Sequence, residues 1–223
     1  MASYVPCTNN HSTYYEDSKQ WSGAGVIIVE NYYPKDGTPR IPCILVGRDI
    51  GRGKYTDFGG HYESQHNNLQ TTSHHELREE SCNLFNISPS TLQQLPYSDS
   101  KYKDHYYRTY FVKIRGVSRK MYHKNRLKLI ANRARRCWLE TDNIIHVPIE
   151  NIPIESLLFD GDIITTDIDG QEVVLHNRLR QCLLYGYGKM LEVFERESIA
   201  NSRTDGRTNR TRDFLNGTFS IVK

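Results

Sequence analysis

Between Leu69 and Leu84 the chain sets three glutamates, Glu76, Glu79 and Glu80, at positions i, i+3 and i+4. On a helix this spacing brings all three carboxylates to one side. Leu77 and Leu84, seven apart, lie roughly opposite and anchor the helix in a core. The pattern predicts a helix over 69–84. Carboxylates crowded in this way repel one another unless something neutralises them. A hard divalent cation with oxygen ligands, Mg2+ or Mn2+, is the economical answer. The bland alternative is an acidic helix face turned to solvent.

The segments around this helix alternate between strand and helix signals. Gly25–Glu30 and Pro42–Gly47 are compact β-branched runs separated by a turn containing Pro34, Gly37 and Pro39, which predicts two strands. Tyr106–Ile114 and Ile144–Pro148 predict two more. A long closing helix is expected over 173–199 from Leu175, Leu179, Cys182, Leu183, Leu191 and Phe194, with Gly186 and Gly188 bending it or marking a helix contact. Gly51-Arg52-Gly53 reads as a turn. This order implies an α+β or α/β/α layered domain. Residues 1–20 read as a loose leader, 21–199 as one domain and 200–223 as a polar, basic tail.

Charge is unevenly distributed. The net charge is +3, yet residues 101–136 hold thirteen Lys and Arg against Asp104 alone, a surplus of +12 that leaves −9 for the rest. Within it, Leu127, Ile130, Ala131 and Ala134 recur at helical spacing, so 119–136 is expected to be an amphipathic helical insertion with a cationic face. An acidic body with one basic segment suggests a polyanionic ligand; the alternative is a solvated charged loop. No apolar run approaches the roughly 20 residues a membrane helix needs, and residues 1–20 lack signal-peptide character, so no membrane role is expected. The five cysteines are odd in number and never at metal spacing, consistent with free thiols in a reducing, intracellular compartment, cytoplasmic or otherwise. The histidines show no zinc spacing, and no nucleophile elbow is present.

Phe58-Gly59-Gly60-His61-Tyr62-Glu63, then a loop, then His75-Glu76-Leu77-Arg78-Glu79-Glu80 resembles the box of the Nudix hydrolases, written G-x5-E-x7-R-E-U-x-E-E-x-G-U with U apolar. Glu76, Leu77, Glu79 and Glu80 match it as they stand. The loop is one residue longer, His66 and Asn67 stand where the family has a mid-loop Glu, and His75 replaces the family's Arg. Cys82 replaces the closing Gly, with Asn83 next to it able to take the left-handed cap one residue later. The resemblance implies that Glu76, Glu79 and Glu80, with the Gly60 carbonyl, hold Mg2+ or Mn2+. The metal would neutralise a diphosphate and activate water. It also implies an α+β fold, an α/β/α sandwich with a mixed sheet, and a further carboxylate as base or extra ligand, for which Glu140 is the first candidate and Glu63 the second. His75 would orient a carboxylate.

The resemblance fixes the bond cleaved and not the group attached to it. The leading expectation is hydrolysis of a pyrophosphate bond in a nucleoside diphosphate linked to another group. Capped or 5′-phosphorylated RNA is the preferred large substrate, bound along basic residues including Arg126, Lys128, Arg133 and Arg135. Dinucleotides, ADP-ribose-like compounds and diphosphoinositol polyphosphates are small-substrate alternatives. A catalytically silent module that binds RNA or a nucleotide is the alternative of a different class.

Overall fold

Central strands buried on both faces need apolar residues at every position, and the first long strand supplies them. The computed structural model describes residues 14–16, 19–34, 39–102 and 104–195; most of the expected leader and all of the tail lie outside these. Strand β1 (Tyr14–Glu16) pairs antiparallel with the start of β2 (Lys19–Tyr32), so the sheet begins within the expected leader. Val26 and Ile28 of β2 face one layer of the core, and Ile27 and Val29 the other.

Strand β2 pairs in parallel with β7 (His105–Lys113) along one edge. Along its other edge it meets β3 (Ile41–Asp49) and β5 (Phe58–His61), both antiparallel. The short β4 (Lys54–Thr56) follows β3 through a turn in which Gly53 has φ +67°, and Asp57 breaks the line between β4 and β5. Strands β6 (Tyr97–Tyr102) and β8 (Thr141–Pro148) flank β7 and β3. At the far end β9 (Ile163–Thr166) and β10 (Glu172–Leu175) form a hairpin, with β10 parallel to β4.

Helices cover both faces. On one side lie α1 (Leu69–Glu80), the short α2 (Pro89–Leu92) and α3 (Arg119–Ala131), packed over Trp21, Val26, Leu45, Phe58 and Tyr110. On the other lies α4 (Asn177–Glu195), over Ile27, Ile44, Phe111 and Val147. This is an α/β/α sandwich with a mixed sheet, as expected. Among the described residues, no helix is long and apolar enough to cross a membrane.

Three expectations need correction. Helix α1 ends at Glu80, not at Leu84, because both Cys82 (φ +52°) and Asn83 (φ +58°) are left-handed. The Asn83 N–H then closes the helix on the Arg78 carbonyl at 2.8 Å, and Leu84 is buried from outside the helix. Helix α3 presents a different face from the one its apolar spacing suggests. Leu127 is 66% and Ile130 45% exposed, while Tyr122 is buried and Met121 and Leu129 pack beside it. Polar anchors decide this orientation: the Tyr122 hydroxyl (2.7 Å) and Arg126 Nε (3.1 Å) both donate to the Thr141 carbonyl, and Arg119 Nε donates to that of Ile144 (3.1 Å).

The third correction concerns the closing helix. Residues 172–175 belong to β10, because Leu175 pairs with Tyr55, and the helix starts only at Asn177. It runs unbroken through both glycines. Gly186 is a helix–sheet contact, where a Cβ would overlap the Phe111 ring and stand 2.6 Å from Ser98 Oγ, whereas nothing stands near Gly188. Gly186→Ala is therefore expected to destabilise the fold by about 1–3 kcal/mol through overpacking. Gly188→Ala should stabilise it by up to about 1 kcal/mol through helix propensity. Urea denaturation of the two variants against the parent measures both signs.

Candidate functional site

The candidate site lies where α1 crosses β5. Asn68 caps the helix, its side-chain oxygen accepting the Thr71 N–H at 2.8 Å. Leu69 and Leu77 are fully buried, each contributing about 1.5–3 kcal/mol of apolar burial. With that face fixed to the sheet, Glu76 and Glu80 are drawn down onto the backbone of β5. The Gly59 N–H donates to Glu80 Oε2 at 2.6 Å. Gly60 lies directly beneath the Glu76 carboxylate: a Cβ there would stand 2.5 Å from both of its oxygens. Close approach of a carboxylate to a strand needs a residue without a side chain, which is what the Gly-Gly pair provides.

Electrostatics mark these acids as a set. Burial, then the nearby Glu79 carboxylate, pushes Glu76 up to about 8; Arg178 opposes the rise, and Glu63 and Glu140 add to it. Burial raises Glu80 well above the carboxylate range, against the pull of Arg178 and with Glu76 and Asp57 adding. Glu79 is also raised by burial, offset by a hydrogen bond to Cys137 and by Arg135, with Glu63 and Glu140 adding. Glu140, at the end of a 3-10 turn over Arg136–Leu139, is raised by burial and by Asp49, against Arg136 and Arg52. Glu63 stands in the loop between β5 and α1 and accepts a hydrogen bond from the Gln65 amide. The fold thus brings Glu63 and Glu140, far apart in sequence, into the field of the three helical glutamates.

The donor chemistry fits a hard divalent cation: four or five carboxylates, a backbone carbonyl at Gly60, and too little positive charge among them. Among the described residues, no three His, Cys, Asp or Glu side chains already stand in a coordinating arrangement. Glu80 is turned instead to the Gly59 N–H.

The other expected residues are dispersed. The His75 ring stacks on that of His66 at 4.9 Å, 14° from parallel. Burial lowers its pKa, with His74 and Arg78 adding and Glu63 opposing, which disfavours the cationic form an arginine would supply. Arg126 is spent on the Thr141 carbonyl. Lys128, Arg133 and Arg135 are exposed, and Arg133, with φ +53°, ends α3 in a left-handed turn.

Sequence reasoning passed over a second polar group on the opposite face of the sheet. Asp57 is fully buried. It accepts from Thr56 Oγ1 (2.9 Å), from the Tyr107 hydroxyl (2.7 Å) and from Arg178 Nε (2.9 Å). Arg178 Cζ also lies 5.5 Å from the centre of the Tyr107 ring. The Tyr107 hydroxyl occupies the space that a Cβ on Gly25 or Gly59 would fill. The one trace in the sequence is the glycines of β2 and β5, where Gly25 pairs with Gly59 and Gly23 and Gly60 lie close by, which announce a close approach without naming what approaches.

No family model and no curated protein matches the chain. Among solved structures it is similar to a mutT/nudix family protein from Listeria innocua. The two are 13% identical over 77% of this chain and 94% of that one, with a TM-score of 0.41. It is also similar to a C. elegans Ap4A hydrolase, 15% identical over 43% of this chain and 67% of that one, with a TM-score of 0.29. Both likenesses are distant.

The raised carboxylates have a consequence for stability. Because folded Glu76 holds its proton more tightly than the unfolded chain does, with a pKa of about 8 against 4.5, the folded state binds more protons between those values. Stability without divalent ions should therefore fall as pH rises through that window. Glu76→Gln is expected to flatten the fall and to be more stable than the parent at pH 8. Denaturant titrations in chelator from pH 5 to 8.5 test this; parallel curves for the two proteins would contradict it.

Proposed function

We propose that this chain is a Nudix-type hydrolase that splits a pyrophosphate bond in a nucleoside diphosphate linked to another group. The observation carrying the reading is the set of Glu76, Glu79 and Glu80 on one helix, laid against the Gly59–Gly60 backbone with Glu63 and Glu140 in their field. Glu76, Glu79 and Glu80, with the Gly60 carbonyl, would hold Mg2+ or Mn2+. When bound, the metal supplies charge neutralisation for the diphosphate and an acidified water. Glu140 is the candidate base, since burial and Asp49 raise its pKa and so favour proton uptake. Glu79 and Glu80 should be indispensable. Glu79→Gln or Glu80→Gln is expected to cut Mn2+-dependent turnover by about 100-fold or more, as several kcal/mol of charge stabilisation is lost at about 1.4 kcal/mol per decade. The assay is phosphate or nucleotide release from capped RNA, ADP-ribose, dinucleoside polyphosphates and diphosphoinositides. Near-parent activity in both variants removes the metal-helix assignment.

For the attached group, an RNA 5′ end is the preferred reading. Its support is α3, whose polar anchors turn Lys120, Lys124 and Lys128 outward, with Arg133 and Arg135 following. Thirteen helical residues span about 20 Å, the reach of several phosphates. Arg135 lies within the field of Glu79, so the basic surface adjoins the carboxylates. Changing Lys120, Lys124, Lys128, Arg133 and Arg135 together to Gln is expected to weaken RNA binding. It should also flatten the slope of log K against log salt by up to about 3–4 for a single strand, while small-nucleotide hydrolysis is retained. Loss of small-substrate turnover with no RNA binding in the parent would assign the basic surface to a compact, highly phosphorylated ligand.

A catalytically silent binding module is favoured by one observation. His75 stacks on His66 and its cationic form is disfavoured by burial, so it is a weaker partner for a carboxylate than the family's arginine at that position. The turnover assay separates the two readings.

A further inference from the structure

We infer that Arg178 is the positioning residue of the carboxylate site, holding from the opposite face of the sheet the backbone against which Glu76 and Glu80 are set. Its guanidinium grips Asp57 twice, Nε to the side-chain Oδ1 at 2.9 Å and Nη2 to the main-chain carbonyl at 3.3 Å. A planar fork that holds a side chain and its own backbone together fixes the residue in orientation as well as place. The other Asp57 oxygen is held by the Tyr107 hydroxyl, so the residue is satisfied and has no alternative position.

Asp57 is the break between β4 and β5, the one point where the strand line is not fixed by the sheet ladder. Two residues on, the Gly59 N–H binds Glu80; three residues on, Gly60 underlies Glu76. Alternation along β5 sends Phe58 and Gly60 toward α1, and Asp57 and Gly59 toward α4. The glycines leave only backbone between the two polar groups. A displacement of Asp57 is therefore passed to Gly59 and Gly60 with no side chain to absorb it. The same thin layer lets the Arg178 charge reach Glu76 and Glu80 from below.

The geometry is independent of the metal reading, while the consequence for metal binding rests on it; the experiment has one arm for each. Arg178→Lys keeps the charge and loses the fork, and Arg178→Gln loses both. Val193→Ala, buried near the far end of the same helix, lowers stability without touching Asp57. The first arm is hydrogen exchange at the Gly59 amide in the full chain, compared with the amides of β3. The second is Mn2+ binding followed by electron paramagnetic resonance.

Both Arg178 variants are expected to speed Gly59 exchange about ten-fold, as loss of a charge-assisted hydrogen bond implies, and to weaken Mn2+ binding. Val193→Ala should do neither. The fall in affinity is diagnostic, because removing a positive charge with no positional effect would tighten cation binding. Gly59 exchange unchanged in Arg178→Gln overturns the inference. So does Arg178→Lys matching the parent in both arms, since charge alone would then suffice. Faster Gly59 exchange in the variants of a parent that binds no Mn2+ supports the positioning role and defeats the metal reading.

Discussion

A carboxylate resting on a bare strand is the contact on which the rest of this molecule depends. Glu80 can accept the Gly59 N–H at 2.6 Å only if α1 lies unusually close to β5, and α1 can lie there only because Gly60 leaves the space in which the Glu76 carboxylate sits. The caps, the leucines and the left-handed exit at Cys82 and Asn83 fix the helix at that height. On the other side of the same backbone, Gly25 and Gly59 admit the Tyr107 hydroxyl beside Asp57. Small residues here do not mark flexibility. They mark two polar groups packed against one layer of main chain.

The electrostatic balance of that arrangement is one-sided. Glu76, Glu80 and Asp57 share the neighbourhood with Arg178, which is already engaged by Asp57, and Glu79 has Arg135 to offset its acidic neighbours. Isolated buried carboxylates are costly, and the fold meets the cost partly by raising their proton affinity and partly by lending them backbone donors. A protein under selection for stability alone would replace such acids with apolar side chains. Their placement on one helical face fits the proposed exchange of protons for a divalent ion.

What the sequence discloses and what it hides follow from the range of the interactions. Strands β2 and β3 and the acidic face of α1 were legible because β-branched runs and i, i+3, i+4 spacing are local signals. The inward face of α3 was not. Leu127 and Ile130 satisfy helical periodicity as well as Met121, Tyr122 and Leu129 do, and only the carbonyls of Thr141 and Ile144 decide between them. Leu175 fits a helical pattern and becomes a strand because Tyr55 is waiting for it. Asp57 and Arg178 are 121 positions apart; nothing local in either residue names the other.

That separation has a meaning for the order of synthesis. Asp57, the glycines and all three helical glutamates emerge from the ribosome well before Arg178. The parallel pairing of β2 with β7 must also wait for a strand some eighty residues later, and such non-local contacts form slowly. A growing chain therefore carries its acids early and receives the support of Arg178 only with α4. While the chain is still unfolded these carboxylates are solvated, Glu76 titrates near 4.5 and the cluster is negatively charged near neutral pH. Only burial on folding raises the proton affinity of Glu76, and Arg178 of α4 opposes that rise. The contact between Asp57 and Arg178 therefore cannot form until α4 has been made.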